Sequence, residues 1–251
     1  MPATPVLTVA QIEAYRRDGF VVLRNAFDDE DTRTIIRWAD EVEALPEELG
    51  KQWVFHEVSE LDGRDLINRI EYIAPFHSGF ASLTEILGTA AGQLLEEEAI
   101  LFKEKINFKM PGGGGFEPHQ DSQAGWEDYA SNFITVMICI DEATLENGCL
   151  ELAPGQNKRG LLRGMEPLTE ADTKDMTFVP VPTQPGDMVL FDAYTPHQSA
   201  PNPTATQRRV YYATYNKASE GDHIDQYYAD KRKNFPPDIE RDPNRVYVYK
   251  V

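Results

Sequence analysis

The spacing of apolar residues changes texture near residue 99. Before it the chain reads as helices with short strands. Thr8 and Gln11 form a capping box ahead of "VAQIEAYRRD", and Gly19 stands where a left-handed C-terminal cap belongs. The strand "FVVLR" follows, then a helix through "DDEDTRTIIRWADEVEAL" that Pro46 stops, with acidic residues at its positive end. "KQWVFHEV" predicts a strand and "FASLTEILGTAAGQLL" helix. Beyond residue 99, short apolar runs recur between Gly, Pro and Asn: "ILFKEKINFKM", "NFITVMICID", "GCLELAPG", "MTFVPVP", "DMVLFDAY" and "RVYYATYN". Many short strands at such spacing predict a β-sandwich or barrel. We therefore expect a mainly β protein with N-terminal helices, organised as one domain: a helix-rich bracing region (1–98), a barrel core (99–218) and a charged C-terminal tail (219–251) lying over the surface.

Composition narrows the partners. With 42 acidic against 24 basic residues the formal charge is −18, a field that repels nucleic acid and anionic lipid. The longest apolar run, "FITVMICI", is too short to span a bilayer, and the N-terminus lacks the pattern of a secretory leader. The chain reads as a soluble cytoplasmic protein acting on a small molecule. Cys139 and Cys149 sit in apolar segments and are expected to be buried, reduced thiols.

Chemistry concentrates in "PGGGGFEPHQDSQAGW", residues 111–126. On extended backbone, residues i and i+2 share a face, so His119 and Asp121 can converge on one ion. His197 supplies a third ligand: in "PGDMVLFDAYTPHQSAPN" a tight turn launches an apolar strand ending in a histidine. Two imidazoles and one carboxylate on one face of an octahedron suit Fe(II) and leave positions open for O2 and a chelating co-substrate. Eleven residues after His197 comes Arg208, whose guanidinium fork can hold a carboxylate bidentately. Arg208 and Arg209 point to opposite faces, and spacing alone does not choose between them.

Taken together, "HQD", His197, Arg208 and the opening "YRRDGFVVLRN" resemble the phytanoyl-CoA dioxygenase family of Fe(II)/2-oxoglutarate oxygenases, over most of the chain up to about residue 218. The resemblance implies a double-stranded β-helix, a cupin-like jelly roll, in which 2-oxoglutarate is decarboxylated to succinate with O2. It favours Arg208 as the carboxylate anchor and implies that Asn107, Thr135 and Ser199 contact 2-oxoglutarate. Lys103, Gln123, Trp126, Phe191 and Tyr212 match or adjoin substrate-lining positions. Asp121 separates the chain from related halogenases, in which a small residue replaces the carboxylate.

Other features allow two readings. Lys103, Lys105 and Lys109 make one face of a strand basic, either as a solvated face or as a pocket for an anion, and Trp126 and Tyr129 either line that pocket or pack the core. His56, His77 and His223 have no matching partners and read as structural. "GGGG" is not followed by Gly-Lys-Ser/Thr, so it is no phosphate loop; an entrance to the site and a plain connection both fit. "FKEKINFKMPGG", "HQDSQAGW", "NGCLELAPGQNKRGLL" and "YNKASEGDH" resemble a branch of the family that hydroxylates aminoalkylphosphonates and their trimethylammonio relatives, at the carbon next to phosphorus. An acyl-thioester or a specialised metabolite is the competing substrate class, and a cupin-like metalloprotein without 2-oxoglutarate the competing activity.

Overall fold

The computed structural model describes residues 2–59 and 61–247. The N-terminal part runs α1 (Val9–Asp18), β1 (Phe20–Leu23), α2 (Asp29–Glu43), β2 (Trp53–Val58), β3 (Asp65–Glu71) and α3 (Ser78–Leu95). Then come β4 (Ala99–Lys109), β5 (Phe116–His119), β6 (Ile134–Cys139), β7 (Leu150–Leu152), the single turn α4 (Glu170–Thr173), β8 (Val179–Val181), β9 (Met188–Asp192), β10 (His197–Ser199), β11 (Arg208–Lys217) and α5 (Ile224–Asn234). Among the described residues the strands form two antiparallel sheets, ordered β1-β9-β6-β11-β4-β3-β2 and β5-β10-β7-β8. Their face-to-face arrangement is the expected jelly roll.

The helix ends follow their sequence signals. Thr8 and Gln11 close the capping box of α1, and Gly19 ends that helix at φ 81°. Asp28 caps α2 and accepts from the amides of Glu30 and Asp31.

The large sheet has two unlike faces because side chains alternate across it. Outward, Ile106, Phe108, Val136, Ile138, Leu190 and Tyr211 join Ile35, Phe80, Leu83 and Leu87 of the helices in the main core. Inward, β4 presents Lys103, Lys105, Asn107 and Lys109, which pair in register with Thr214, Tyr212, Val210 and Arg208 of β11. The basic face of β4 is therefore interior. Arg209, one residue out of phase, points outward to Asp40 (2.7 Å), Glu43 (3.0 Å) and Asp141 (2.8 Å).

Two boundaries differ from the sequence reading. Residues 1–98 do more than brace, since β1, β2 and β3 form both edges of the large sheet. Nor does the tail lie over the surface: α5 packs Tyr227 and Tyr228 against Trp53, Phe102, Trp126 and Phe133. Residues 248–251 of that tail lie outside the described residues. The other histidines are structural. His77 accepts from the Phe80 amide at the start of α3 (3.2 Å), His56 meets Asp238 (3.3 Å), and His223 meets the Glu220 carbonyl (2.7 Å).

The glycine run acquires a physical reason. Gly112 adopts φ 85°. A Cβ on Gly115 would stand 2.7 Å from the Ser199 carbonyl oxygen, and one on Gly113 would stand 3.0 Å from the Met110 carbonyl. The Gly114 amide donates to Glu57 Oε2 at 3.2 Å. The loop is thus pressed onto its neighbours, backbone against backbone. Gly115→Ala is expected to lower unfolding stability by about 1–3 kcal/mol through overpacking, whereas Gly114→Ala, which meets only the end of the Glu57 side chain, should change it by less than about 0.5 kcal/mol. Urea denaturation of both variants checks this; equal stabilities would show that the close approach carries no weight.

Candidate active site

Antiparallel pairing of β5 with β10 sets His119 directly opposite His197, with ring centroids 4.1 Å apart. Each Nδ1–H donates to the carbonyl two residues earlier, His119 to Glu117 (2.7 Å) and His197 to Thr195 (3.0 Å). That bond assigns the proton to Nδ1 and leaves the Nε2 lone pair available to a metal. Asp121 is not on the strand; it opens the 3-10 turn Asp121–Ala124 that follows. Between them Gln120 is extended and fully buried. Its amide donates to the carbonyls of Gly160 (2.9 Å) and Tyr194 (2.6 Å), and its oxygen accepts from the Leu162 amide (2.8 Å). The chain is thereby tethered so that Asp121 returns to the His119 face. One ligand atom from each of His119, Asp121 and His197 lies within 4.8 Å of the other two.

Electrostatics suit a cation there. Burial and the adjacent His197 push His119 down to about 3, so its imidazole is neutral. Burial would raise the Asp121 carboxyl, yet His197, Lys105 and His119 hold it below the ordinary value. Asp121 Oδ2 accepts from the Thr135 hydroxyl at 3.1 Å, and Thr135 pairs with Thr214 at 3.0 Å. Thr135, expected to contact 2-oxoglutarate, lines the cavity and its hydroxyl is bonded to the metal-ligand carboxylate.

Arg208 lies at the inner end of the barrel, 3% exposed. Its Nε and the Asn107 Oδ1 are buried without a hydrogen-bond partner among the described residues. Ser199, two residues past His197, and Asn107 border the cavity that holds the triad. The unsatisfied Arg208 Nε is a buried donor that the carboxylate of a 2-oxo acid would satisfy, so Arg208 fits the co-substrate as the triad fits the iron.

A cavity of about 660 Å³ opens above the triad. Lys103, Lys105, Trp126, Tyr129, Phe191 and Tyr212 line it. Gln123 does not. It is fully buried and its side chain is committed to backbone, accepting from the Gln120 amide at 2.6 Å and donating to the Glu166 carbonyl. It supports the Asp121 turn instead. Sequence reading also missed Tyr227, Asp230, Lys231 and Asn234 of α5, which line the cavity. Their only signal was aromatic residues interleaved with charge in a segment read as a surface tail.

Two imidazoles and a carboxylate with open coordination positions, at the centre of a jelly roll, define a mononuclear non-haem iron oxygenase site. The phytanoyl-CoA dioxygenase (PhyH) profile matches residues 15–210. The chain is 41% identical over 235 residues to a methylphosphonate hydroxylase of Gimesia maris, covering 91% of this chain and 88% of the relative. It is 36% identical over 245 residues to a 2-aminoethylphosphonate dioxygenase of an uncultured bacterium, covering 96% and 93%. The fold superposes on EctD from S. alaskensis, solved with 2-oxoglutarate and 5-hydroxyectoine, with a TM-score of 0.73 at 24% identity over 85% of this chain and 77% of that one. This chain belongs to the phytanoyl-CoA dioxygenase family.

Orientation of Asp121 by Thr135 is testable by metal binding. Thr135→Val should weaken Fe(II) or Co(II) affinity roughly 10–100-fold, the usual effect of removing an outer-shell hydrogen bond. His119→Ala should abolish binding. A chelator-competition titration measures both, and an unchanged affinity in Thr135→Val would show that the hydroxyl does not orient the carboxylate.

Proposed function

We propose that the protein, acting as a single catalytic domain, hydroxylates the carbon next to phosphorus in a small phosphonate, using Fe(II), 2-oxoglutarate and O2. The observation that carries the reading is the basic wall of the metal cavity in a chain of net charge −18: Lys103, Lys105 and Lys231 all line it. Of the carboxylates on the same cavity, Asp121 faces the metal position, Asp128 is exposed, and Asp230 is bonded to Tyr129, Gln226 and Lys233. Buried Glu71 holds Lys231 at 2.5 Å and is register-opposite Lys105. Burial and the neighbouring Lys103 and Arg69 push Lys105 down to about 7, and a bound phosphonate mono- or dianion would favour its charged form. The names of the two curated relatives support the same substrate class.

His119, Asp121 and His197 would hold the iron, and Arg208 with Ser199 the distal carboxylate of 2-oxoglutarate. Once bound, iron, oxo acid and O2 supply the oxidation that converts C–H to C–OH while the oxo acid leaves as succinate and CO2. This chain's own residues position the substrate. Lys103 and Lys105 line the same cavity as His119, Asp121 and His197, so a phosphonate held on them shares that cavity with the metal position. Phe191, 5.1 Å from the His197 ring, and Tyr212 form the apolar side of the same space.

Among phosphonates, the aromatic faces favour those without a quaternary ammonium. Lys103 already lies over Trp126 (5.5 Å) and Tyr227 (5.2 Å), and Lys105 over Tyr212 (5.4 Å). The cation–π positions on Trp126, Tyr227 and Tyr212 are thus taken by the protein's own cations.

The test offers methyl-, 2-aminoethyl- and 2-trimethylammonioethylphosphonate to the Fe(II) enzyme, following succinate and the phosphorus NMR of the product. Methyl- or aminoethylphosphonate should stimulate succinate formation and yield the 1-hydroxy product, with the trimethylammonio compound poorer. Lys105→Met should raise the phosphonate KM roughly tenfold to a hundredfold, the worth of a charged hydrogen bond, and leave 2-oxoglutarate binding unchanged. If no phosphonate stimulates turnover while iron and 2-oxoglutarate bind, the substrate reading fails and another small anion takes its place.

A further inference from the structure

The inner end of the barrel holds a second cation that the ligand set above leaves without a role. Lys109 is register-opposite Arg208 on the neighbouring strand and 2% exposed. Its ammonium donates to Ser199 Oγ at 2.7 Å and to the Ala200 carbonyl, with the Gly148 carbonyl at 3.5 Å and the Phe116 ring 5.6 Å away. Two like charges side by side in a buried pocket are costly unless an anion joins them. The acidic groups around them do not fill that role: Asp141 is committed to Arg209, and Glu57 accepts from the Gly114 amide. Burial and Arg208 together push Lys109 down to about 7, with Glu57 and Cys149 opposing.

We infer that Lys109 is a positioning residue for 2-oxoglutarate. It fixes the Ser199 hydroxyl and adds to Arg208 a second positive charge facing the distal carboxylate. The argument is one of proton counting. A serine hydroxyl has one proton; because Ser199 Oγ accepts from Lys109, its own O–H turns away from the ammonium, into the cavity that Ser199 borders. There it donates to the same carboxylate that Arg208 grips. Lys109 thus sets the direction of a hydrogen bond that Ser199 alone would leave to free rotation. This rests on the reading of Arg208 and Ser199 as the 2-oxoglutarate site, which the experiment tests separately.

The experiment is an anaerobic titration of the Fe(II) protein with 2-oxoglutarate and, in parallel, with 2-oxobutanoate, which chelates through the same 2-oxo acid group but lacks the distal carboxylate. The chelate's visible absorption reports binding, so no turnover is needed. For Lys109→Met we expect the 2-oxoglutarate Kd to rise at least tenfold and the 2-oxobutanoate Kd to stay within twofold, at an unchanged iron stoichiometry. In a Ser199→Ala background the further effect of Lys109→Met on 2-oxoglutarate should shrink to the part carried by charge alone, and Lys109→Arg should recover part of the affinity. Equal losses for both oxo acids would make Lys109 a structural residue and overturn the inference, as would an unchanged 2-oxoglutarate Kd. Should Lys109→Met fail to fold, Ser199→Ala and Lys109→Arg carry the same comparison: a loss confined to 2-oxoglutarate in both supports it, and no such selectivity overturns it. Wild-type protein that binds iron but no 2-oxoglutarate would overturn the functional reading itself.

Discussion

The backbone pairing of β5 with β10 is the constraint on which the site depends. It places His119 against His197 by register, so that two imidazoles from segments far apart in sequence meet at ring distance. A one-residue slip would turn one histidine to the opposite face of the sheet and separate the pair. Much nearby structure resists that slip. Gln120 ties the strand end to three backbone groups, Gln123 supports the turn carrying Asp121, and the glycine run lets the loop before β5 lie flat on Ser199 and Pro201 just after β10. The glycines thereby act on register: a larger residue at position 115 would push the two strands apart at the Phe116–Ser199 end, opposite the His119–His197 pair.

A second constraint is charge. The exterior is strongly acidic, yet the inner face of β4 and β11 carries Lys103, Lys105, Lys109 and Arg208. Such a face persists because each cation has a specific environment. Lys103 and Lys105 lie over aromatic rings near Glu71, whose own carboxyl is held below the ordinary range, against burial, by Lys231, Lys103, Arg69 and Lys105. Lys109 has hydroxyl and carbonyl acceptors. The cations fall into two groups, Lys103, Lys105 and Lys231 around the open cavity and the register-opposed Arg208 and Lys109 beside Ser199, which matches one group to the proposed phosphonate and the other to 2-oxoglutarate.

How much of this was legible in the sequence depends on whether the signal was local. His119, Asp121 and His197 were legible because extended backbone and a tight turn present side chains in a way that spacing encodes. Arg208 was separable from Arg209 only through the family resemblance; the structure supplies the physical difference, an acidic outer niche made by Asp40, Glu43 and Asp141 for Arg209. Alternation along β4 revealed a basic face but not its side, because the outward partners, α1 to α3, are distant in sequence. The glycine run was opaque for the same reason: its close neighbours Ser199 and Pro201 belong to another strand end. The bond from Thr135 to Asp121 was not legible, since a hydroxyl reaching a carboxylate fourteen residues earlier leaves no periodic trace.

The C-terminal helix was misread most fully, and the reason bears on specificity. The family profile ends at residue 210, whereas α5 begins at Ile224 and closes one side of the cavity with Tyr227, Asp230, Lys231 and Asn234. Lys231 reaches down to Glu71 on β3, joining the helix to a strand contributed by the N-terminal part of the chain. A buried pair of this kind adds little net stability, because desolvation offsets the attraction. Its effect is geometric: it fixes where α5 sits above the metal ligands. The iron ligands and much of the cavity wall, Lys103, Lys105, Trp126 and Phe191 among it, belong to the matched family core, while the wall formed by α5 lies beyond it. Specificity can therefore be set from both sides, by core residues on β4 and by α5, which the Lys231–Glu71 pair holds over the cavity.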